Sequence, residues 1–362
     1  MKSFSVLLTF LMFIGIGSVI AQDDDYVCFQ CPPSEPITRE NISRLRGIGG
    51  TEGTVFDISF STIGHNPIVL EAIGVFSYVE SIRFNMQLNR DFAGWDIHSI
   101  LRGENYTQIA YHPEETYVAI GTDMGEIIFW STDEPIEQVY ASQGQASIRE
   151  ILYHPTGDGV LTLEGNNMLG WHDMTDDGEY FSVANTIQIN AIALSPDGEW
   201  LAVATNQSLQ IYAVENRDLL TEVQVETPIN SLQFNPDDNG ELFTLTDEVS
   251  RWGWDAEAIS LTLDDHFTKL PADTAVLTET EDYEFTDVTI NPDGSVLVSL
   301  DNQYCLRTWD LVDQMEIISV ADNAETCAYT RARDTIVSDI AFSPDGLYLL
   351  VASTLLGGLV IP

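Results

Sequence analysis

The chain has 362 residues, 44% of them apolar and 10% aromatic. That is ample for a packed core and too apolar for a disordered tail. Fourteen basic residues stand against 57 acidic ones, a formal charge of −43. No stretch forms a basic patch, which excludes nucleic-acid binding through phosphate contacts; a surface of this sign repels anionic lipid and favours cations, basic partners or plain solubility.

Residues 1–21, MKSFSVLLTFLMFIGIGSVIA, carry a single charge, Lys2, ahead of an uncharged apolar run that ends in Val19-Ile20-Ala21. This is the pattern of a secretory signal peptide. The run is also just long enough to span a membrane as a retained anchor. Gly15-Ile16-Gly17-Ser18 weakens a helix near the cut and favours cleavage. Either fate puts the remainder outside the cytoplasm: secreted, periplasmic or on the cell surface. After cleavage no stable membrane insertion is expected.

Residues 22–39 hold Cys28 and Cys31 in VCFQCPP; Cys305 and Cys327 lie far downstream. Four cysteines in an exported chain predict two disulfides. Cys28 is too far from the cut to be lipidated. A redox motif would need a βαβ setting, and a metal site more Cys or His ligands at regular spacing.

From residue 40 a repeat takes over. Seven segments begin near Val55, Tyr106, Ile148, Ile189, Ile229, Phe285 and Val337. Each opens with a short alternating run such as Ile340 and Phe342, followed by a Pro-Asp-Gly type turn in which Pro fixes φ and Gly takes the strained position. A second apolar run follows, then a third that closes on Trp130, Trp171, Tyr212 or Trp309, then a weaker fourth. This predicts four-stranded antiparallel meanders. The turn prolines Pro113, Pro155, Pro196 and Pro236 are 42, 41 and 40 residues apart, and a period of about 40–45 residues marks a propeller blade. Gly94-Trp95-Asp96 mimics a third-strand end but lies only 18 residues before Pro113. Phe84 fits the third strand of the first copy better, with Trp95 in or near its fourth.

Trp309-Asp310 and Trp254-Asp255 are Trp-Asp dipeptides at the end of third runs; Trp130-Ser131, Trp171-His172 and Tyr212-Ala213 are degraded forms, and no Gly-His dipeptide accompanies them. On these residues the chain resembles the WD-repeat family over nearly all of its mature length. TolB-like propellers share the Ser-Pro-Asp-Gly turn and are a rival label for the same architecture. The resemblance implies an all-β, seven-bladed β-propeller of four-stranded antiparallel blades in a single domain, residues 40–362. The last copy supplies three strands, and Glu40–Gly50 has the apolar spacing of a fourth at Ile42, Leu45 and Ile48. The last blade is therefore expected to be closed by an N-terminal strand near residues 43–49, as WD-repeat rings close.

No catalytic set, cofactor site or metal site is read from the sequence. His112 and His154 precede turn prolines where other copies have Ser or Asn, which suits a hydrogen bond within the turn. Asp176–Glu179 and Asp237–Glu241 resemble calcium loops without completing the ligand spacing. Two insertions, Asp264–Phe285 and Ala321–Thr335, lengthen one face, where binding segments on rigid scaffolds sit. Equivalent first-strand positions carry Asp57, Gln108, Glu150, Ala191, Ser231, Asp287 and Asp339. Asp57, Asp287 and Asp339 fall in consecutive copies and, with Glu281 and Asp282 of the first insertion, form the candidate partner-binding group.

The first reading is an extracytoplasmic binding scaffold, monomeric, with an unidentified protein or cationic ligand as partner and no catalysis. The second is a lactonase-like hydrolytic propeller using channel carboxylates and Ca²⁺, which requires Asp57, Asp287 and Asp339 to converge on a metal. Cys305 at the start of a third strand and Cys327 after the fourth strand of the same blade lie on one face of a meander, so Cys305–Cys327 is expected to bridge, leaving Cys28–Cys31 as a local loop. Non-reducing peptide mapping should recover these two pairs; a peptide linking either N-terminal cysteine to Cys305 or Cys327 contradicts the assignment.

Overall fold

The computed structural model describes Pro36 and residues 49–50, 54–60, 67–73, 76–85, 94–103, 105–114, 117–131, 137–141, 146–172, 179–182, 188–267, 284–302, 306–317, 337–347, 349–353 and 357–361. The described strands form seven four-stranded antiparallel sheets. In chain order their first strands are Thr54–Phe60, Tyr106–Tyr111, Ile148–Tyr153, Ile189–Leu194, Ser231–Asn235, Phe285–Ile290 and Val337–Phe342. Sheets 1 to 6 are meanders of consecutive strands. In sheet 1 the third strand is Phe76–Asn85 and the fourth Gly94–Gly103, with Phe84 opposite Trp95, as the spacing argument requires.

Sheet 7 is assembled from both ends of the chain. Val337–Phe342, Leu349–Ser353 and Gly357–Ile361 are followed across the sheet by Gly49–Gly50, whose partners are Val360 and Leu359. Gly49 belongs to the expected 43–49 strand, and residues 37–48 lie outside the described set.

The Pro-Asp-Gly turns share one wiring. In Ser195–Gly198 the Ser195 hydroxyl donates to Asp197 Oδ1 at 2.5 Å, that oxygen also accepts the Glu199 amide, and the Gly198 amide donates to the Ser195 carbonyl. Ser343–Leu347 repeats it through Asp345, and Asn291–Ser295 through Asp293. The aspartate fixes the turn while glycine takes φ near +70°: 75° at Gly198, 69° at Gly294 and Gly346.

The core is a set of apolar layers between neighbouring sheets. Phe243, Leu245 and Phe267 of sheet 5 pack on Phe285, Leu297 and Trp309 of sheet 6, with Trp309 edge-on to both Phe267 and Phe285. Leu161, Leu163 and Leu169 of sheet 3 meet Ile189, Leu201 and Tyr212 of sheet 4 in the same way. Burying such side chains is the main favourable contribution to folding.

The Trp-Asp motif divides in sheet 5. In sheet 6 the Trp309 indole N–H donates to Ser299 Oγ at 2.8 Å, and Asp310 accepts the amides of Val312 and Asp313. In sheet 5 the corresponding indole bond, to Thr244 Oγ1 at 2.8 Å, is made by Trp252. Asp255 keeps the turn role, accepting the amides of Glu257 and Ala258. The third strand there is seven residues long against five in sheet 6, so the dipeptide Trp254-Asp255 sits two residues beyond the hydroxyl.

Sheet 6 also buries an ion triad. Arg307 donates to Asp301 at 3.2 Å and to Glu316 at 3.0 Å, with side-chain exposures of 9%, 0% and 8%. Arg307→Met keeps the unbranched apolar stem of the side chain and leaves two buried carboxylates without their cation. It is expected to cost about 3–5 kcal/mol, read from the urea midpoint; a loss below about 1 kcal/mol would show that the carboxylates find other partners.

Candidate functional site

Each first strand pairs with its second strand on one side. Its other edge faces the neighbouring first strands: Thr54–Phe60 lies against both Tyr106–Tyr111 and Val337–Phe342, and Phe285–Ile290 against both Ser231–Asn235 and Val337–Phe342. Amides on that edge have no strand to pair with, and buried amides require acceptors. Six of the seven first strands carry a β-bulge at one equivalent place, between 55 and 57, 106 and 108, 148 and 150, 189 and 191, 285 and 287, and 337 and 339. A bulge re-aims the side chains beside it.

The residue closing each bulge is the one aligned in sequence, and at Asp57, Glu150 and Asp287 its carboxylate reaches the next sheet. Asp57 Oδ2 accepts the Ile109 amide at 2.6 Å, and Asp287 Oδ2 accepts the Ile340 amide at 3.1 Å. Glu150 accepts the Ile192 amide. Two residues further on, Ser59 Oγ accepts the Tyr111 amide at 3.0 Å and Thr289 Oγ1 the Phe342 amide at 3.3 Å. The bulged residues work in the opposite sense: Arg149 donates to the Ile189 carbonyl at 3.1 Å and Asn190 to the Ile229 carbonyl at 2.9 Å. Side chain bonded to backbone takes the place of a ladder between adjacent first strands.

Asp57, Asp287 and Asp339 are brought together by this geometry. The Asp339 carboxyl is hydrogen-bonded to both of the others and accepts the Ile340 amide at 2.8 Å. Asp57 is 8% exposed, while Asp287 and Asp339 are half-buried. Burial first, then the Asp57 and Asp287 charges, hold Asp339 well above the ordinary carboxylate range. Burial pushes Asp287 up to about 6, against the pull of its hydrogen bonds from Asp339, Val288 and Ile340. Glu150 belongs to the same group, although the sequence reading left it out of the candidate site. Burial raises it to about 8, opposed by the Ile192 amide and reinforced by Asp287. Its signal was in the sequence alignment of the copies, at the position of Asp57.

The turn histidines tie the sheets at another level. His112 Nδ1 accepts the Glu114 amide at 3.0 Å, so the proton sits on Nε2, 3.1 Å from the Gly157 carbonyl of the next sheet. His154 Nε2 reaches the Gly198 carbonyl at 3.1 Å in the same way. A Cβ at Gly157 or Gly198 would collide with these rings. The bond within the turn was expected; the bond to the neighbouring sheet was not. His172 is buried against the Thr162 hydroxyl at 3.2 Å, and desolvation lowers it to about 4, so it stays neutral. Asn239, in the calcium-like Asp237–Glu241 segment, accepts the Asp197 amide at 3.0 Å.

Among the described residues no group of three or more His, Cys, Asp or Glu is arranged to hold a metal ion, and no helix is long and apolar enough to cross a membrane. Glu281, Asp282, residues 268–283 of the first insertion, the whole of the second (Ala321–Thr335), the four cysteines and residues 1–35 lie outside the described set.

A family model described as WD domain, G-beta repeat, matches residues 180–212. That stretch runs from the fourth strand of sheet 3 through the third strand of sheet 4, so the repeat straddles two sheets by one strand. The target of rapamycin complex subunit wat1 of Schizosaccharomyces pombe is 19% identical over 250 residues, 68% of this chain and 74% of that protein. The crystal structure of the Cps50 (Swd1) β-propeller domain from Myceliophteria thermophila matches with a TM-score of 0.67 at 14% identity, over 88% of this chain and 99% of that one. The chain matches the WD-repeat family at this repeat and has the β-propeller fold. Its four-stranded sheets correspond to the blades of that fold, and the carboxylates stand on their first strands.

Glu150 gives the blade centre a pH signature. Its folded value of about 8 lies above the ordinary 4.5. The stability carried by its proton is fully present below 4.5 and lost as pH rises through 8. Asp287, Asp57 and Arg149 are the charged groups that act on it. Glu150→Gln keeps an acceptor for Ile192 and removes the titration. It should raise Tm at pH 8 by roughly 2 °C or more, with the gain shrinking towards pH 5. A gain that is constant across that range would mean that Glu150 is not the titrating group.

Proposed function

We propose that this WD-repeat propeller is a seven-bladed ring, closed by its N-terminal strand, that serves outside the cytoplasm as a non-enzymatic interaction scaffold. The observation that carries the absence of chemistry is the state of the inner carboxylates. Asp57, Glu150, Asp287 and Asp339 each accept a backbone amide, three of them from the next blade, and Asp339 is bonded to its two neighbours. Groups so engaged hold blades together and are poorly placed to be a hydrolytic base. WD-repeat propellers more often present their faces to proteins, and the S. pombe relative is, by its name, a subunit of a complex. Seven four-stranded sheets, the pairing of Gly49–Gly50 with Gly357–Ile361, and the contact of the first with the seventh first strand support the ring. The leader-like residues 1–21 support export.

The partner is a basic protein surface or a cationic ligand, because the chain carries 57 acidic residues against 14 basic. Cross-linking of mature chain beginning at Gln22, in the extracytoplasmic fraction of its source, should join it to one protein partner. The complex should survive EDTA and weaken as salt is raised. Ca²⁺-dependent hydrolysis of a lactone or ester that disappears in Asp57→Asn or Asp287→Asn protein would overturn this reading in favour of a hydrolase. Deletion of residues 40–50 should abolish cooperative melting; a truncated chain that melts like the parent excludes closure by this segment.

A further inference from the structure

We propose that the junction between the last and first blades is latched by a proton shared along the row Asp287–Asp339–Asp57, so that the seam of the ring loosens when the row ionises. The inference rests on the ring reading above and adds a device to it. Three observations meet at one place. First, the last blade takes its outermost strand from the other end of the chain, Gly49–Gly50 pairing with Val360 and Leu359. Second, the three aspartates occupy blades 6, 7 and 1, the seam blade and both its neighbours, and nowhere else do three consecutive first strands carry carboxylates at this position. Third, Asp339 bonds to both flanking carboxyls.

A hydrogen bond between two carboxyl groups requires a proton on one of them. Asp287 accepts, which makes Asp339 the donor. While Asp339 holds its proton, that single hydrogen is shared between the two flanks, bonding one carboxylate at a time. When it ionises, three like charges face one another across the two junctions. Each of the three continues to hold an amide, so the first strands themselves stay intact.

The charged groups in reach come from the inner strands of four blades: Asp57, Asp287 and Asp339 in the row, Glu150 further round the ring, and Arg149 beside Glu150. The remaining aligned positions, Gln108, Ala191 and Ser231, are neutral. Asp339 and Asp287 are both raised above their ordinary value of 3.8, Asp287 to about 6. The latch is therefore complete below about 4 and is lost as pH rises through the folded values. An anionic row of this kind could be quenched by a basic partner as well as by a proton, which would couple docking to ring closure.

Amide hydrogen exchange of mature protein from pH 5 to pH 8, corrected for the intrinsic rate, tests the latch. Protection in peptides covering 357–361 and 54–60 should fall by up to about tenfold per pH unit between the ordinary and the folded values. Protection at 201–205, in the buried second strand of blade 4, should change much less. Asp339→Asn places a permanent donor with two hydrogens between the flanking carboxylates and keeps the acceptor for Ile340; its seam should stay protected at pH 8. Asp339→Ala should lower seam protection at every pH. The latch is refuted if Asp339→Asn follows the parent's pH dependence, or if 201–205 loses protection in step with the seam, which is the signature of whole-molecule repulsion. Seam peptides that are unprotected at every pH in the parent would instead remove the ring reading, and the latch with it.

Discussion

The structure depends on how the inner edge of each first strand is satisfied. A four-stranded meander leaves two edges, and in a radial arrangement the inner one is buried where no further strand fits. Unsatisfied amides there would cost about 1–3 kcal/mol each. This chain meets the demand with side chains. A bulge turns one residue towards the next blade, and an oxygen from Asp57, Glu150 or Asp287 accepts that blade's amide. Ser59 and Thr289 repeat the bond two residues on, where alternation brings the next side chain to the same side.

Carboxylates are strong acceptors, yet gathering several of them in a confined centre carries an electrostatic cost. The same burial that makes each amide bond valuable raises the carboxyls towards protonation. Asp339 sits at the point of conflict: its carboxyl is hydrogen-bonded to both neighbours, and burial with their charges holds it well above the ordinary carboxylate range. The outer turns use neutral groups for the analogous task, with His112 and His154 reaching glycine carbonyls one blade away. Blade order is thereby encoded twice, by acid side chains at the centre and by imidazoles at the turn corners.

The fold was legible in the sequence because its signals are local. Turn prolines at a period near 41, alternating runs and closing aromatics each depend on a few residues, and they placed even Trp95 in the fourth strand of the first blade. The tryptophan roles in blade 5 were less legible. Trp254-Asp255 matches the dipeptide, but a third strand two residues longer passes the indole bond to Trp252. Sequence identity marked the turn, and strand length decided which ring met the hydroxyl. The carboxylate group was legible as an alignment and not as a contact. Counting neighbours in consecutive blades selected Asp57, Asp287 and Asp339 and omitted Glu150, because repeat order cannot show that the longer glutamate side chain shares their field.

The acidic residues thus belong to two populations. Those at the centre serve the ring: they hold amides, and burial raises Glu150, Asp287 and Asp339 above the ordinary carboxylate range. Those on the turns and outer strands, such as Glu199, Asp218 and Glu257, are exposed and remain free to set the surface potential. Surface charge steers a basic partner and keeps the protein soluble, but each exposed pair contributes little and is screened by salt. Specificity must then come from side chains on the faces, where the blades differ most in sequence, while the acids at the centre answer a demand of the backbone. An aligned row of acids in a repeat protein can look like a binding site and still be the mortar between repeats, and the deciding observation is which amides those acids already hold.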